Sequence, residues 1–381
     1  MRVSSRGTVD PFIVMDVIKA AQDAEEAGRS IIHMEVGQPG TPAPAAARKA
    51  LERAMHEDSL GYSVTLGLNE LRVKIAALYD TWYGIDLNPE RVVVTPGSSG
   101  AFLLAFASLF DAGDRVGIGV PGYPSYRQIL KSMSLSPVLI ETSENARFQP
   151  VPQDVDSNDL DGLLVASPAN PSGTMLDRDE IAALMEACRR NGTAFISDEI
   201  YHGLEYERPS VSALEVADDV YVINSFSKYF SMTGWRVGWM VVPEDHVRRV
   251  ERIAQHLFIC ASHASQIAAL AALDCMDELE GNLATYAENR RLMLEGLPRA
   301  GFGRIAPPDG GFYVYADVSE LTDDSLVLAR ELLEHAGVAV TPGQDFDPGR
   351  GKSTLRFSYA ASTGDIREGL KRLQDYMADR D

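Results

Sequence analysis

NSFSKYFSMTGWRVGW, residues 224 to 239, sets a lysine, Lys228, among serines, aromatic rings and small residues, and places an arginine, Arg236, eight positions later. A solvated lysine needs no such surroundings, and a buried one is costly unless its charge is compensated or its pKa falls. The stretch links two short β-branched runs, DVYVINSF and RVGWMVVP. Both read as buried strands, so Lys228 stands in a loop just past a strand end.

The pattern continues outward from that loop. Between about Arg91 and Pro243, RVVVTPG, DRVGIGV, SPVLIET, DGLLVAS and GTAFISDE also read as buried strands. Amphipathic segments such as GAFLLAFASLF and DRDEIAALMEACRR separate several of them, the second opening on an acidic first turn. Such alternation predicts a doubly wound α/β layer with a mostly parallel sheet. After Pro243 a long helical stretch is expected over EDHVRRVERIAQHLFICASHASQIAALAALDCMDEL, then a second over TYAENRRLMLEGL. FYVYADVS, SLVLARELLEHAG, VAVTPG, TLRFSYA and a last helix form a small α+β lobe. The expected division is an arm with part of the small domain over 1–45, a large domain over 46–284 and the small domain over 285–381.

Composition narrows the partners. A net charge of −20 argues against nucleic acid and anionic membrane surfaces as ligands. The cysteines Cys188, Cys260 and Cys275 are odd in number and widely spaced, which suits free thiols in a reducing compartment. There is no apolar signal core at the N-terminus and no bilayer-length apolar run, so a soluble, cytoplasmic protein is expected.

The unusual residues cluster just after predicted strands: TPGSSG (95–100), PGYPSY (121–126), SPANPSG (167–173), SDEIY (197–201) and SFSK (225–228). Parallel sheets bind ligands beyond the carboxyl ends of their strands, so these clusters should line one crevice. Ser98 and Ser99 at a helix start, with Ser225, Ser227 and Arg236, offer donors for a phosphate. Tyr123 can face a flat ring, Asp198 needs a cationic partner, and Asn170 and Tyr201 suit a phenolate-type oxygen. Each has an ordinary alternative: a plain helix cap for TPGSSG and Asp198, turn packing for Tyr123 and Asn170, a solvated loop lysine for Lys228. Taken together they describe pyridoxal 5′-phosphate, with Lys228 as the amine that captures its aldehyde.

From about residue 11 onward the chain resembles the class I/II aminotransferases, the fold type I pyridoxal-phosphate enzymes. SFSKYFSMTGWRVGW carries the resemblance, joined in the family's order by GQPGTPAP, GYSVTLGLNELR, TPGSSGA, SPANPSG, SDEIY and LRFSYA. The resemblance implies a seven-stranded, mostly parallel large domain and a small α+β domain. It makes Lys228 the Schiff-base lysine, Asp198 the partner of the ring nitrogen, and Asn170 and Tyr201 the partners of the ring oxygen. Tyr123 becomes the stacking ring and Ser98, Ser99, Ser225 and Arg236 the phosphate cup. Arg356 and Gly37 receive the substrate α-carboxylate, and Tyr62 reaches the phosphate of a neighbouring subunit, so a homodimer with shared sites follows. The implied reaction moves an amino group between an L-amino acid and a 2-oxo acid in two half-reactions. Departures from the family pattern are Gly40 and Thr41 after the first motif and tyrosine at the stacking position.

Other readings fare less well. A β-elimination lyase acting on carbon–sulfur bonds keeps the cofactor and changes only the bond broken, and no residue excludes it. GRGKST (349–354) lacks the first P-loop glycine, because Phe346 stands there, and it precedes a strand. The resemblance starts so early that no DNA-binding domain is expected ahead of it. Asp198 and Glu199 should point to opposite faces of a strand, so a metal pair is not expected, and His202 reads as a packed residue. The apolar PFIVMDV near the N-terminus favours alanine, aromatic or aliphatic amino acids over aspartate.

Overall fold

A computed structural model of the protein describes residues 1–380. Its central sheet has seven strands: β1 (Val92–Thr95), β2 (Arg115–Val120), β3 (Ser136–Glu141), β4 (Gly162–Ala166), β5 (Ala194–Asp198), β6 (Tyr221–Ser225) and β7 (Gly238–Val241). They lie in the order β1-β7-β6-β5-β4-β2-β3. Only β7 is antiparallel to its neighbours; the pairs from β6 to β3 are parallel. All seven strands read from the sequence are present. Every residue of β1, β6 and β7 is buried, as near-continuous apolar strands must be when both faces of a sheet are covered. Helix Gly97–Leu109, apolar on all sides, lies in that covering layer and buries Phe102, Leu104 and Phe106. Because β1, β2, β4, β5 and β6 run the same way, the loops after them emerge along one edge.

A second, antiparallel sheet joins β8 (Arg304–Ile305), β9 (Tyr313–Asp317), β10 (Thr341–Pro342) and β11 (Thr354–Ser358) in the order β10-β11-β9-β8. The arm belongs with it, since Ile32–His33 pairs in parallel with Val338–Ala339. Helix Met276–Arg299 runs straight through the expected division at 284/285.

The long helical stretch expected after Pro243 is broken. Helices Val247–Leu257 and His263–Ala272 are separated at Ile259, which takes a left-handed φ of 65°. Ser262 restarts the helix by accepting the Ser265 N–H, a capping preference that apolar periodicity alone does not register. GRGKST forms a turn leading into β11, and Arg350 at its start donates to the carbonyls of Val120 (2.7 Å) and Thr142 (3.0 Å). It is a clasp between the two sheets' layers.

Helix Ile13–Glu26 lacks a capping residue of its own at Phe12. Asp345 supplies the cap from more than 300 residues away: its two carboxylate oxygens each accept one N–H, from Ile13 and Val14, at 3.1 Å. On the other side Asp10 is held by Gln128 (2.9 Å) and Lys131 (3.2 Å). The start of the chain is thereby strapped across the cleft between the layers.

Candidate active site

That cleft holds a cavity of about 220 Å³. Lys228, Asp198, Tyr201, Asn170, Tyr123, Ser98, Ser99, Arg236, Arg356 and Gly37 all line it. The sheet edge accounts for the first eight, which sit at the carboxyl ends of β1, β2, β4, β5 and β6 or in the loop entering β7. Arg356 comes from β11, and Gly37 from the arm.

Two expected residues lie elsewhere. Ser225 is buried next to Ser227: its hydroxyl donates to Ser227 Oγ at 2.7 Å and accepts the Ser227 N–H at 3.0 Å. Ser227 stands in the turn after β6 has ended, and its hydroxyl is the one that lines the cavity. Tyr62 is 82% exposed and does not line the cavity of its own chain.

At the bottom of the cavity Asp198 is 3% exposed. One oxygen accepts the Ile200 N–H at 3.1 Å and the other the Tyr126 hydroxyl. Burial pushes its carboxyl up to about 6, against the opposing pull of those donors and of Lys228. Lys228 Nζ donates to the Gly37 carbonyl at 2.6 Å. Desolvation first, and then the positive charges of Arg356 and Arg236, lower its ammonium to about 7. The amine is thus nucleophilic near neutral pH.

Arg356, 4% exposed, donates through Nη1 to Asn170 Oδ1 at 2.9 Å and through Nη2 to the Glu35 carbonyl and to Thr341 Oγ1. Its guanidinium carbon lies over the rings of Tyr313 (4.3 Å) and Phe346 (4.7 Å), and its Nε is buried with no partner. At the opposite end Arg236, in a left-handed backbone conformation (φ 53°), lies against the start of helix Gly97–Leu109. A Cβ on Gly97 would stand 2.6 Å from its guanidinium, so this position requires glycine for space as well as for its φ of 69°.

Lys228, Arg236 and Arg356 donate only to neutral oxygens among the described residues. A guanidinium pressed against a helix N-terminus makes electrostatic sense when an anion joins them. Asp198 has the converse need, a buried anion bonded to neutral donors alone. The cavity therefore suits a ligand with an anionic group at one end, a protonated nitrogen at Asp198 and an aldehyde within reach of Lys228. Pyridoxal phosphate is such a ligand.

Tyr313, Tyr126, Ser227 and Phe346 were not singled out in the sequence as site residues, or, for Ser227, only as an added hydroxyl donor. Tyr313 and Phe346 sit in segments whose alternating or turn-like patterns read as plain packing. The one available signal was Gly37. A Cβ there would fall 1.8 Å from the Tyr313 hydroxyl. Gly37→Ala is expected to lower folding stability by about 1–3 kcal/mol through overpacking. Adding Tyr313→Phe should restore part of the loss, because the next nearest atom is at 2.9 Å. Denaturant titration of the two variants measures this, and equal losses in both would contradict the clash. His202 is a packed residue: the Tyr83 hydroxyl lies 2.6 Å from its Nδ1 and the Ser167 carbonyl 2.9 Å from its Nε2.

Comparison with known proteins agrees with this geometry. Residues 29–373 match the family model described as aminotransferase class I and II. The chain is 47% identical to the valine–pyruvate aminotransferase of Mycobacterium tuberculosis, over 99% of this chain and 98% of that one. A crystal structure of an aminotransferase from the same organism superposes with a TM-score of 0.97 at 46% identity, covering 100% of both chains. Aspartate aminotransferase from Thermus thermophilus, solved with maleate, gives a TM-score of 0.91 at 30% identity over 98% of this chain and 100% of that one. These relatives are transaminases, which decides for amino-group transfer over the β-elimination alternative. The fold, the charges of the cavity and the relatives agree: this chain belongs to the class I and II aminotransferases, enzymes that use pyridoxal 5′-phosphate to move an amino group between an amino acid and a 2-oxo acid.

Proposed function

We propose that the amino donor is a neutral, chiefly aliphatic L-amino acid and that the acceptor is a small 2-oxo acid such as pyruvate. The observation that carries this is the roof of the cavity. Phe12, Val14, Met15 and Ile18 of the strapped N-terminal segment face it together with Val36, and its only cations among the described residues are Lys228, Arg236 and Arg356. With one cation at the phosphate, one at the α-carboxylate and one at the reacting carbon, none is left for a side-chain carboxylate. The relative named for valine and pyruvate supports the same reading.

In this reading Ser98, Ser99, Arg236, the helix start at Gly97 and the linked hydroxyls of Ser225 and Ser227 hold the cofactor phosphate. Tyr123 lies against the ring, Asn170 and Tyr201 donate to its oxygen, and Asp198 keeps its nitrogen protonated. Bound pyridoxal phosphate supplies an aldehyde that captures amines and a ring that withdraws electrons. Arg356 holds the substrate carboxylate and so fixes the orientation of the Cα–H bond. Lys228 Nζ, whose ammonium burial holds down to about 7, accepts the Cα proton in its neutral form and later returns it.

The 46–284 and 285–381 lobes, with the 1–45 arm, enclose the site, helix Met276–Arg299 connecting them. A homodimer is part of the proposal. The loop bearing exposed Tyr62 and Val64 is tied to helix His263–Ala272, through His263 Nδ1 and the Gly61 carbonyl (2.9 Å) and through Gln266 and Ser63 (3.0 Å). Exposed Leu257 and Ile259 stand just before that helix, an apolar surface suited to a second copy. The free thiols Cys188, Cys260 and Cys275 fit a cytoplasmic setting.

A panel of donors with pyruvate as acceptor tests the substrate class. Valine and its aliphatic neighbours are expected to exceed aspartate in kcat/KM by at least about 100-fold, the cost of leaving a carboxylate in an apolar wall unpaired. Aspartate as the preferred donor would overturn the proposal.

A further inference from the structure

Tyr313, on β9, meets three of the proposed site groups at once. Its hydroxyl oxygen lies 2.9 Å from that of Tyr201. Its ring face lies 4.3 Å from the guanidinium carbon of Arg356. Its hydroxyl also fills the space a side chain at position 37 would need. The residue is 1% exposed, and Tyr201 is the only hydrogen-bond partner of its hydroxyl among the described residues.

We propose that Tyr313 is a positioning residue that ties the carboxylate-binding arginine to the tyrosine serving the cofactor's ring oxygen. Tyr201 has a single hydroxyl hydrogen. Once that hydrogen is given to the ring oxygen, the Tyr201 oxygen can only accept, and Tyr313 is the donor in place. A donor chain from Tyr313 through Tyr201 polarises the second bond and stabilises negative charge on the ring oxygen. The Tyr313 ring meanwhile packs within 4.3 Å of the Arg356 guanidinium carbon, as Phe346 does at 4.7 Å, and these contacts restrict how the guanidinium is oriented. One side chain thus sets both the electronic state of the ring oxygen and the angle at which the substrate carboxylate is received. The inference rests on the reading that Tyr201 serves the ring oxygen of bound pyridoxal phosphate.

The test is a pH titration of the visible absorbance of the cofactor-loaded enzyme, with steady-state kinetics alongside. Tyr313→Phe removes the donor and keeps the ring. The absorbance midpoint should move up by roughly half to one pH unit, as the oxyanion form loses support. KM for the amino donor should change by less than about threefold, because the stack on Arg356 survives. Tyr313→Leu removes the stack as well and should raise KM by about tenfold or more. A wild-type midpoint in loaded Tyr313→Phe overturns the donor chain. A wild-type KM in Tyr313→Leu overturns the stacking role. Wild-type protein that takes up no pyridoxal phosphate overturns the cofactor reading and this inference together.

Discussion

Lys228→Ala should lower transamination turnover by at least about 10,000-fold, because it removes both the amine that anchors the aldehyde and the base at Cα. Cofactor uptake should suffer far less. The phosphate cup, Asp198 and the ring contacts remain, so pyridoxal phosphate should still bind, but borohydride should no longer fix it to the chain. Two properties suit Lys228 to this work. It sits where burial and the charges of Arg356 and Arg236 hold its ammonium down to about 7, and its Nζ reaches the Gly37 carbonyl at 2.6 Å. Small amines added to the alanine variant should return part of the rate. Near wild-type half-reactions in the variant would remove Lys228 from the mechanism.

The second large effect concerns Asp198 and has two opposite faces. In the loaded enzyme Asp198→Asn should cost about 100- to 1,000-fold in turnover, since a neutral amide cannot keep the ring nitrogen protonated. In the cofactor-free protein the same change should stabilise. Burial raises the Asp198 carboxyl from 3.8 to about 6, so the folded state binds its proton more tightly than the unfolded chain does. This group's contribution therefore falls as pH rises from about 4 to 6, and the penalty persists above that range. Near pH 7 the asparagine variant should exceed wild type by about 2–3 kcal/mol, and the gap should close as pH is lowered toward 4. Thermal unfolding of both cofactor-free proteins across that range measures it. A wild type that is the more stable at pH 7 would mean that Asp198 already has a charge partner in the empty cavity.

Much of this is legible in the sequence. Strands that alternate with helices oblige parallel pairing, and parallel pairing puts the loops after β1, β2, β4, β5 and β6 on one edge. The clusters at 95–100, 121–126, 167–173, 197–201 and 225–228 follow from strand position alone. Less legible was which of two nearby serines lines the cavity. Ser225 and Ser227 differ only in where the chain turns after β6, and that turn is set by the Ser227 N–H bonding back to Ser225 Oγ. The break at Ile259 was hidden for a similar reason: apolar periodicity runs through it, while the chain turns at Ile259 and a new helix starts at the Ser262 cap.

Local pattern by itself determined the sheet and the places of Lys228 and Asp198 at its carboxyl edge, because each depends on strand ends and on residues close in sequence. Only the tertiary structure decided what surrounds Arg356, why position 37 is glycine and how the first helix is held over the cavity. Those depend on Tyr313, Phe346 and Asp345, which meet Gly37, Arg356 and the first helix through packing and hydrogen bonds that in most cases join segments hundreds of residues apart. Contacts of that kind leave no periodicity in a sequence, since nothing in a tyrosine on a strand says which distant glycine makes room for its hydroxyl.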